Sequence, residues 1–462
     1  MSIPVSTPVI EPPVVQAGAA LRVPKTVRAR YPGEFLGLLA RDQLALYRRM
    51  ASEGDVVQLR IGRERLVFVS HPDAAKQVLV TEQRSFTKGR GTDRVKVLLG
   101  NGLLTNEGDS HLRQRRLVQP AFHRERIAGY AATMAEYAER TAGGWRAGGT
   151  LDVHDEMMHL TRDIAGKTLF NLEVGEDPGG VDEAVDLSLR MYRVSVLPFG
   201  QLTEYLPIPF TRRVHAARAR LNRWLMETIA QRRREGTDRG DLLSMLVASQ
   251  DADGPGGGMS DQQLRDEMVT LFVAGHETTA VALSWTWYLL SQHPAIEAKL
   301  HAELAAVLGG RTPTGADVQR LAYTRMVFAE SMRIYPPAWL LERRAARDVE
   351  IGGHLIPAGS LVYTSPYMVH HDPRWYPDPE RFDPERWQPE AAAERHKFAY
   401  APFGAGTRIC VGEQFAWMEG ILVLATIAQR WRLIHDPSHT VATEALVTLR
   451  PKYGMRMRFE AR

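Results

Sequence analysis

The chain has 462 residues, with 58 Lys plus Arg against 54 Asp plus Glu and a formal net charge of +4. That balance is too even to argue for nucleic acid or an anionic membrane as partner, and a single cysteine excludes an intrachain disulfide. Apolar residues make up 44% and charged residues 24%, the proportions of an ordinary soluble globular protein able to bury one large core.

Residues 1–29 carry Pro4, Pro8, Pro12, Pro13 and Pro24 and no charged-then-apolar signal pattern, so they are expected to form a flexible leader. Residues 34–52 have helical periodicity. Residues 55–70 alternate apolar and polar as a strand pair would, and Pro72 then opens a short helix. Residues 86–108 are rich in glycine and charge and read as a long loop. Helical patterns follow over 110–122, 124–147, 153–170, 181–196 and 211–235. Basic runs such as Arg113-Gln114-Arg115-Arg116 read as solvated faces or as a docking patch for an acidic partner. Residues 251–260 (DADGPGGGMS) are a loop.

Ser260, with Gln263 three residues on, makes a capping box that starts a long helix. The stretch 268–290 is apolar, but it holds His276 and Glu277 and has helical periodicity. It therefore reads as a buried core helix rather than a membrane span. Helices continue over 294–308 and 315–334, strand-like pieces over 349–356 and 361–365, and a proline-rich coil over 372–389. A last helix covers 412–431. The fold class is mainly α with a minor β portion, with residues 30–462 as a single large domain.

The most informative stretch is FGAGTRICVG, residues 403–412. Glycines permit close backbone approach and positive φ around the lone cysteine, and the following helix N-terminus favours its thiolate. Zinc is disfavoured because no second cysteine or paired histidine lies nearby. Arg408 is placed to pair with a carboxylate of a bound group. This stretch resembles the haem-binding signature of the cytochrome P450 family, matching at Phe403, Gly406, Arg408, Cys410 and Gly412. The resemblance implies a cytochrome P450 fold, with the haem between the long central helix and the cysteine loop. It makes the Cys410 thiolate the axial iron ligand, whose electron donation promotes O–O cleavage.

Three further segments are similar to family motifs, in family order. Glu330 and Arg333 share a helix face at i and i+3, and Arg386 in the FDPERW segment is implied to join them in a buried structural network. AGHETT, residues 274–279, interrupts an apolar helix with glycine, an acid and hydroxyls, which core packing would not select. The resemblance makes Gly275 the space for dioxygen, Thr278 the hydroxyl that holds water and bonds dioxygen, and Glu277 the acid that relays protons. A hydroxyl that merely bonds back to its own helix is the bland reading of Thr278. His111 and Arg115, one turn apart, are implied to serve the haem propionates, as is Arg343, with Arg344 as the competing choice.

These resemblances imply a cytoplasmic haem-thiolate monooxygenase that inserts one oxygen atom from O2 into a small hydrophobic substrate. A terpenoid is favoured; fatty acid, steroid and polyketide stay open. The cofactor implied is haem b (iron protoporphyrin IX), with NAD(P)H acting through a separate ferredoxin or flavodoxin and its reductase. Neither a nucleic acid partner nor a membrane anchor is expected. By family position the pocket is lined by Val95, Leu98, Leu271, Ala274, Gly275, Ala338, Leu340, Val447 and Thr448, with Phe199 and Trp339 nearby. A peroxide-driven or non-oxygenating enzyme and a non-catalytic haem sensor remain as rivals, both weakened by the presence of Glu277 and Thr278 together.

Overall fold

The structure, a computed structural model, describes residues 21–173, 179–195, 197, 200–249 and 258–462. The six-stranded sheet begins with the alternating pair foreseen from sequence. Val56–Ile61 and Glu64–Val69 are antiparallel, with Leu59 opposite Leu66, so their apolar side chains share a buried face. Leu361–Thr364 adds in parallel to the second strand, followed by Leu341–Ala345 and Phe86–Thr87. Lys25–Thr26 pairs in parallel with Val57 and Gln58 at the other edge. The segment expected to be a leader therefore joins the sheet from Lys25 onward, where backbone pairing outweighs its proline content. Residues 1–20 of that segment lie outside the described residues, as do residues 251–257 of the expected loop and Phe199.

Helices make up most of the rest. Asp261–Gln292, the long helix, starts at the Ser260/Gln263 capping box with both reciprocal bonds made. It ends at His293, ahead of Pro294, whose ring disfavours helical backbone in the residue before it. It is buried over most of its length and packs against Val153–Phe170, Ala322–Ile334 and Pro209–Glu235. Glu413–Ala428, the last helix, is apolar on almost every side and runs through the same core cluster. Residues 34–52 form two helices rather than one, Glu34–Arg41 and Gln43–Ala51. Asp42 leaves helical geometry between them, and its side chain caps the second through Ala45 N.

One expected loop is wrong in part: Arg90–Leu99 is helical and packs against the long helix and Val181–Ser195. No helix among the described residues is long and apolar enough to cross a membrane.

Candidate active site

The cysteine loop is closed by its own backbone. Cys410 N–H donates to the Phe403 carbonyl at 2.9 Å, and Ile409 N–H to Gly406 at 3.1 Å. Gly406 has φ +70°, and a Cβ there would fall 2.1 Å from the Leu79 carbonyl, so no other residue fits without moving backbone. Thr407 ties the loop outward by two bonds to Gln83 Oε1. Arg115 Nη1 donates to the Ile409 carbonyl at 2.7 Å, so it holds the loop from the Gly108–Val118 helix. Phe403 packs 5.9 Å from Trp417. Gly412 keeps ordinary φ, and a Cβ there would meet Phe122 and the Cys410 Sγ at van der Waals distance.

The Gly412 N–H at the helix N-terminus pulls the Cys410 pKa down, but burial outweighs it. Burial pushes the thiol up to about 11, against the pull of the Gly412 N–H and of Arg115. Cys410 nevertheless has accessible surface. That surface lies where the resemblance places the haem cleft. The long helix shows the same sign, for Ala274 is exposed while Phe272 and His276 on either side are buried.

At the edge of this loop the charges are unbalanced. Arg408 donates to the Asn106 carbonyl (2.7 Å) and to Glu107 Oε2 (2.9 Å). Arg343 is pushed down to about 10 by burial and by Arg408. Lys88 is pushed down to about 7 by burial, Arg343 and Arg408, while its backbone N–H meets Glu107 Oε1 at 2.5 Å. Three cations thus share one close carboxylate, with Glu342 acting on two of them from further off. His111, buried beside them, is pushed to about 4 by desolvation and by Arg408, Lys88 and Arg115, so it is neutral at pH 7. A half-buried positive surplus next to an accessible thiol fits a ligand that carries carboxylates and a metal that takes sulfur, as haem does.

Neighbours on Leu341–Ala345 point to opposite faces, and Arg343 lies with Lys88 and Arg408. Arg344 turns outward to the Gly359 carbonyl and Glu64. Lys88 was missed from sequence; a lysine among glycines gave no signal of its own.

Glu330 and Arg333 are fully buried and doubly bonded, at 2.9 and 2.8 Å. Arg333 also donates to the His370 carbonyl. Arg386 comes to 3.4 Å from Glu330 through Nε, but the shorter bond comes from Trp387, whose indole donates to Glu330 Oε2 at 2.9 Å. That tryptophan stood in the same motif and was overlooked.

On the long helix Thr278 bonds back to the Ala274 carbonyl at 2.7 Å, and Glu277 accepts from Thr448 Oγ1 at 2.6 Å. Burial raises the Glu277 pKa above the ordinary carboxyl value. Gly275 is half-buried in the same helix. A Cβ there would face Ala165 and Leu169 of the Val153–Phe170 helix, at 3.8 Å from each. Thr448 is buried, with its hydroxyl on Glu277. Trp339 is core, with its indole bonded to the Leu446 carbonyl. Leu340 packs on the sheet-side cluster that contains Tyr47 and Phe68, and Ala338 is half-buried nearby. Leu98 and Leu271 are buried and Val95 is half-buried in the main core cluster. Val447 is exposed between two buried neighbours.

The family model described as cytochrome P450 matches residues 31–457. The chain belongs to the cytochrome P450 family. It is 43% identical over 415 residues to cyclooctatin synthase of Streptomyces melanosporofaciens, covering 89% of this chain and 90% of that protein. It is 42% identical to cyclooctat-9-en-7-ol 5-monooxygenase of the same organism, over 86% and 88% of the two chains. Pentalenene oxygenase of Streptomyces avermitilis is 36% identical, over 92% and 94%. The solved cytochrome P450DA heme domain superposes with a TM-score of 0.85 at 27% identity, covering 96% of this chain and 99% of that one. This P450 is accordingly a monooxygenase of a haem-binding, dioxygen-using family.

Proposed function

We propose that this P450 oxygenates a hydrophobic terpenoid, with haem b seated between the Cys410 loop and the long helix. The observation that carries the reading is the accessible surface of Cys410 beside the half-buried cations Lys88, Arg343 and Arg408. When bound, the haem would supply dioxygen activation: with two electrons and two protons, one oxygen atom would go to a C–H or double bond and the other would leave as water.

Cys410 would hold the iron, with its sulfur fixed by the Phe403–Cys410 backbone bond and by Arg115 on Ile409. Arg343, Arg408 and Lys88 would neutralise the propionates, and neutral His111 offers them one N–H. Thr278 can swing its hydroxyl from the Ala274 carbonyl to a water at the exposed Ala274 surface. Glu277 can hold a proton in the core because burial disfavours its charged form. The apolar Leu98 and Leu271, with Val447, suit a hydrocarbon guest. The terpenoid assignment rests on the named products and substrates of the cyclooctatin and pentalenene relatives. Electrons would come from NAD(P)H through a reductase and a ferredoxin or flavodoxin, docked by charge near Arg113 and Arg116 in the cytoplasm.

The test is the visible spectrum of the reduced protein under carbon monoxide, then a terpenoid screen by spin-state shift. A strongly red-shifted Soret band and a terpenoid-induced shift are expected. A band typical of histidine ligation would overturn the thiolate assignment; shifts with fatty acids alone would overturn the substrate class.

A further inference from the structure

The last hairpin, Thr443–Ala445 with Leu449–Pro451, drives its tip against the long helix. Three bonds pin that tip from outside itself. Trp285 Nε1 donates to the Leu449 carbonyl (2.8 Å), Trp339 Nε1 to Leu446 (2.9 Å), and Leu449 N–H to Pro337 (3.0 Å). On this fixed tip, Val447 is exposed and its neighbour Thr448 is buried, giving its hydroxyl to Glu277 Oε1 at 2.6 Å. The next charged residue, Arg450, donates to Glu444 (3.1 Å) and lies 3.6 Å from Asp186 of Val181–Ser195. Glu444 in turn accepts from Arg193, whose side chain is half exposed. A buried acid is thus joined to a rigid hairpin whose other residues reach the surface.

We infer that Thr448 is a positioning residue for Glu277, and that the hairpin tip sets the acid with one side chain while the adjacent Val447 meets the substrate. The inference rests on the proposed role of Glu277 as the proton-handling acid. A hydroxyl suits the task because it donates to a carboxylate and accepts from a carboxylic acid, so it holds Glu277 in either state. No other hydrogen-bond partner of the Glu277 carboxyl is found among the described residues, so without Thr448 the acid has no fixed direction. Because Val447 and Thr448 share one pinned turn, the tip holds the acid in a fixed position relative to the Val447 surface.

The experiment compares Thr448→Val, Thr448→Ser and Glu277→Gln as holoenzymes with a turned-over terpenoid. The infrared carboxyl band that disappears in Glu277→Gln is expected to move to higher frequency in Thr448→Val and to return in Thr448→Ser. Product formed per NAD(P)H should fall about tenfold in Thr448→Val, the scale of one lost bond to an ionisable group, and recover in the serine variant. The dissociation constant from the spin-state titration should stay within about twofold of the parent, because the hydroxyl faces the acid and not the substrate. A Thr448→Val protein with parent band and parent coupling overturns the inference. So does one with weakened substrate binding and an unmoved band, which would make Thr448 a pocket wall. Normal coupling in Glu277→Gln would instead overturn the role of Glu277 itself; impaired Glu277→Gln beside normal Thr448→Val would overturn Thr448 alone.

Discussion

Two buried glutamates in this protein are treated in opposite ways. Glu330 accepts from Arg333 twice, from Trp387 Nε1 and from Asp383 N–H, with Arg386 at 3.4 Å. Every lone pair is used and a full positive charge lies against it. Glu277 has one hydroxyl, and burial raises its pKa. The first arrangement fixes the proline-rich coil that leads to the cysteine loop. The second leaves an acid able to gain or lose a proton inside the core. Satisfaction, rather than burial, separates a structural carboxylate from one available for chemistry.

Removing a partner from the satisfied acid should do the most damage. In Arg333→Ala, Glu330 keeps its place in the core without its counter-charge, at a cost of about 3–5 kcal/mol. The expected result is a large fall in unfolding temperature and little haem-loaded protein. An Arg333→Ala variant as stable and as fully loaded as the parent would erase the contrast.

The opposite result is expected for Glu277→Gln. The amide keeps an acceptor for Thr448, so the unfolding temperature should not fall. Burial holds the folded pKa of Glu277 above its unfolded value, so the folded state binds its proton more tightly and loses stability as pH rises through the folded pKa. The glutamine variant should lack that loss. Its coupled turnover should drop about a hundredfold, the low end of general acid catalysis. A variant that is destabilised yet normally coupled would place Glu277 with Glu330.

Glu267 sharpens the comparison because, like Glu277, it is buried with a single side-chain hydrogen bond among the described residues. It accepts one backbone N–H, from Leu103 at 3.0 Å, and burial raises its pKa from 4.5 to about 7. Below pH 4.5 both folded and unfolded forms are protonated, and above pH 7 both are ionised. Stability should therefore decline between those values as pH rises, by on the order of 3 kcal/mol. Glu267→Gln should flatten that slope in unfolding temperature against pH; an unchanged slope would assign it to other groups.

The same residues show which parts of the molecule can be read locally. The Cys410 loop, the Glu330–Arg333 pair and the Ser260 capping box are written in neighbouring positions, because their physics acts over one turn. The Arg90–Leu99 helix is not. Its N-terminal end is held by Glu342, which accepts Gly91 N–H at 2.7 Å. Its far end is held by Asp266 and Glu267, which accept the N–H groups of Asn101 and Leu103. Gly89, Gly91, Gly100 and Gly102 pack so closely on these elements that a Cβ at any of them would fall within 2.1–2.5 Å of an atom there. Glycines that look like loop residues in sequence are close-approach residues, and their partners lie more than 160 positions away. The surplus of Lys88, Arg343 and Arg408 was partly legible for the same reason: two came with motifs, whereas Lys88 takes its meaning only from its neighbours in space.

Gly275 gives the smallest effect and the finest cut. Its motif suggests room for dioxygen, and a Cβ there would lie 3.8 Å from Ala165 and Leu169, an ordinary contact distance. Its backbone is regular helix, where alanine is favoured over glycine by about 1 kcal/mol. Gly275→Ala should therefore leave the spin-state titration and coupling unchanged and raise the unfolding temperature slightly. Ala274, one residue earlier, is exposed, so Ala274→Val should weaken substrate binding where Gly275→Ala does not. If Gly275→Ala instead lowers coupling with stability intact, the cleft reaches around the helix to the Val153–Phe170 side, and the stripe that matters for chemistry runs through residue 275 rather than residue 274.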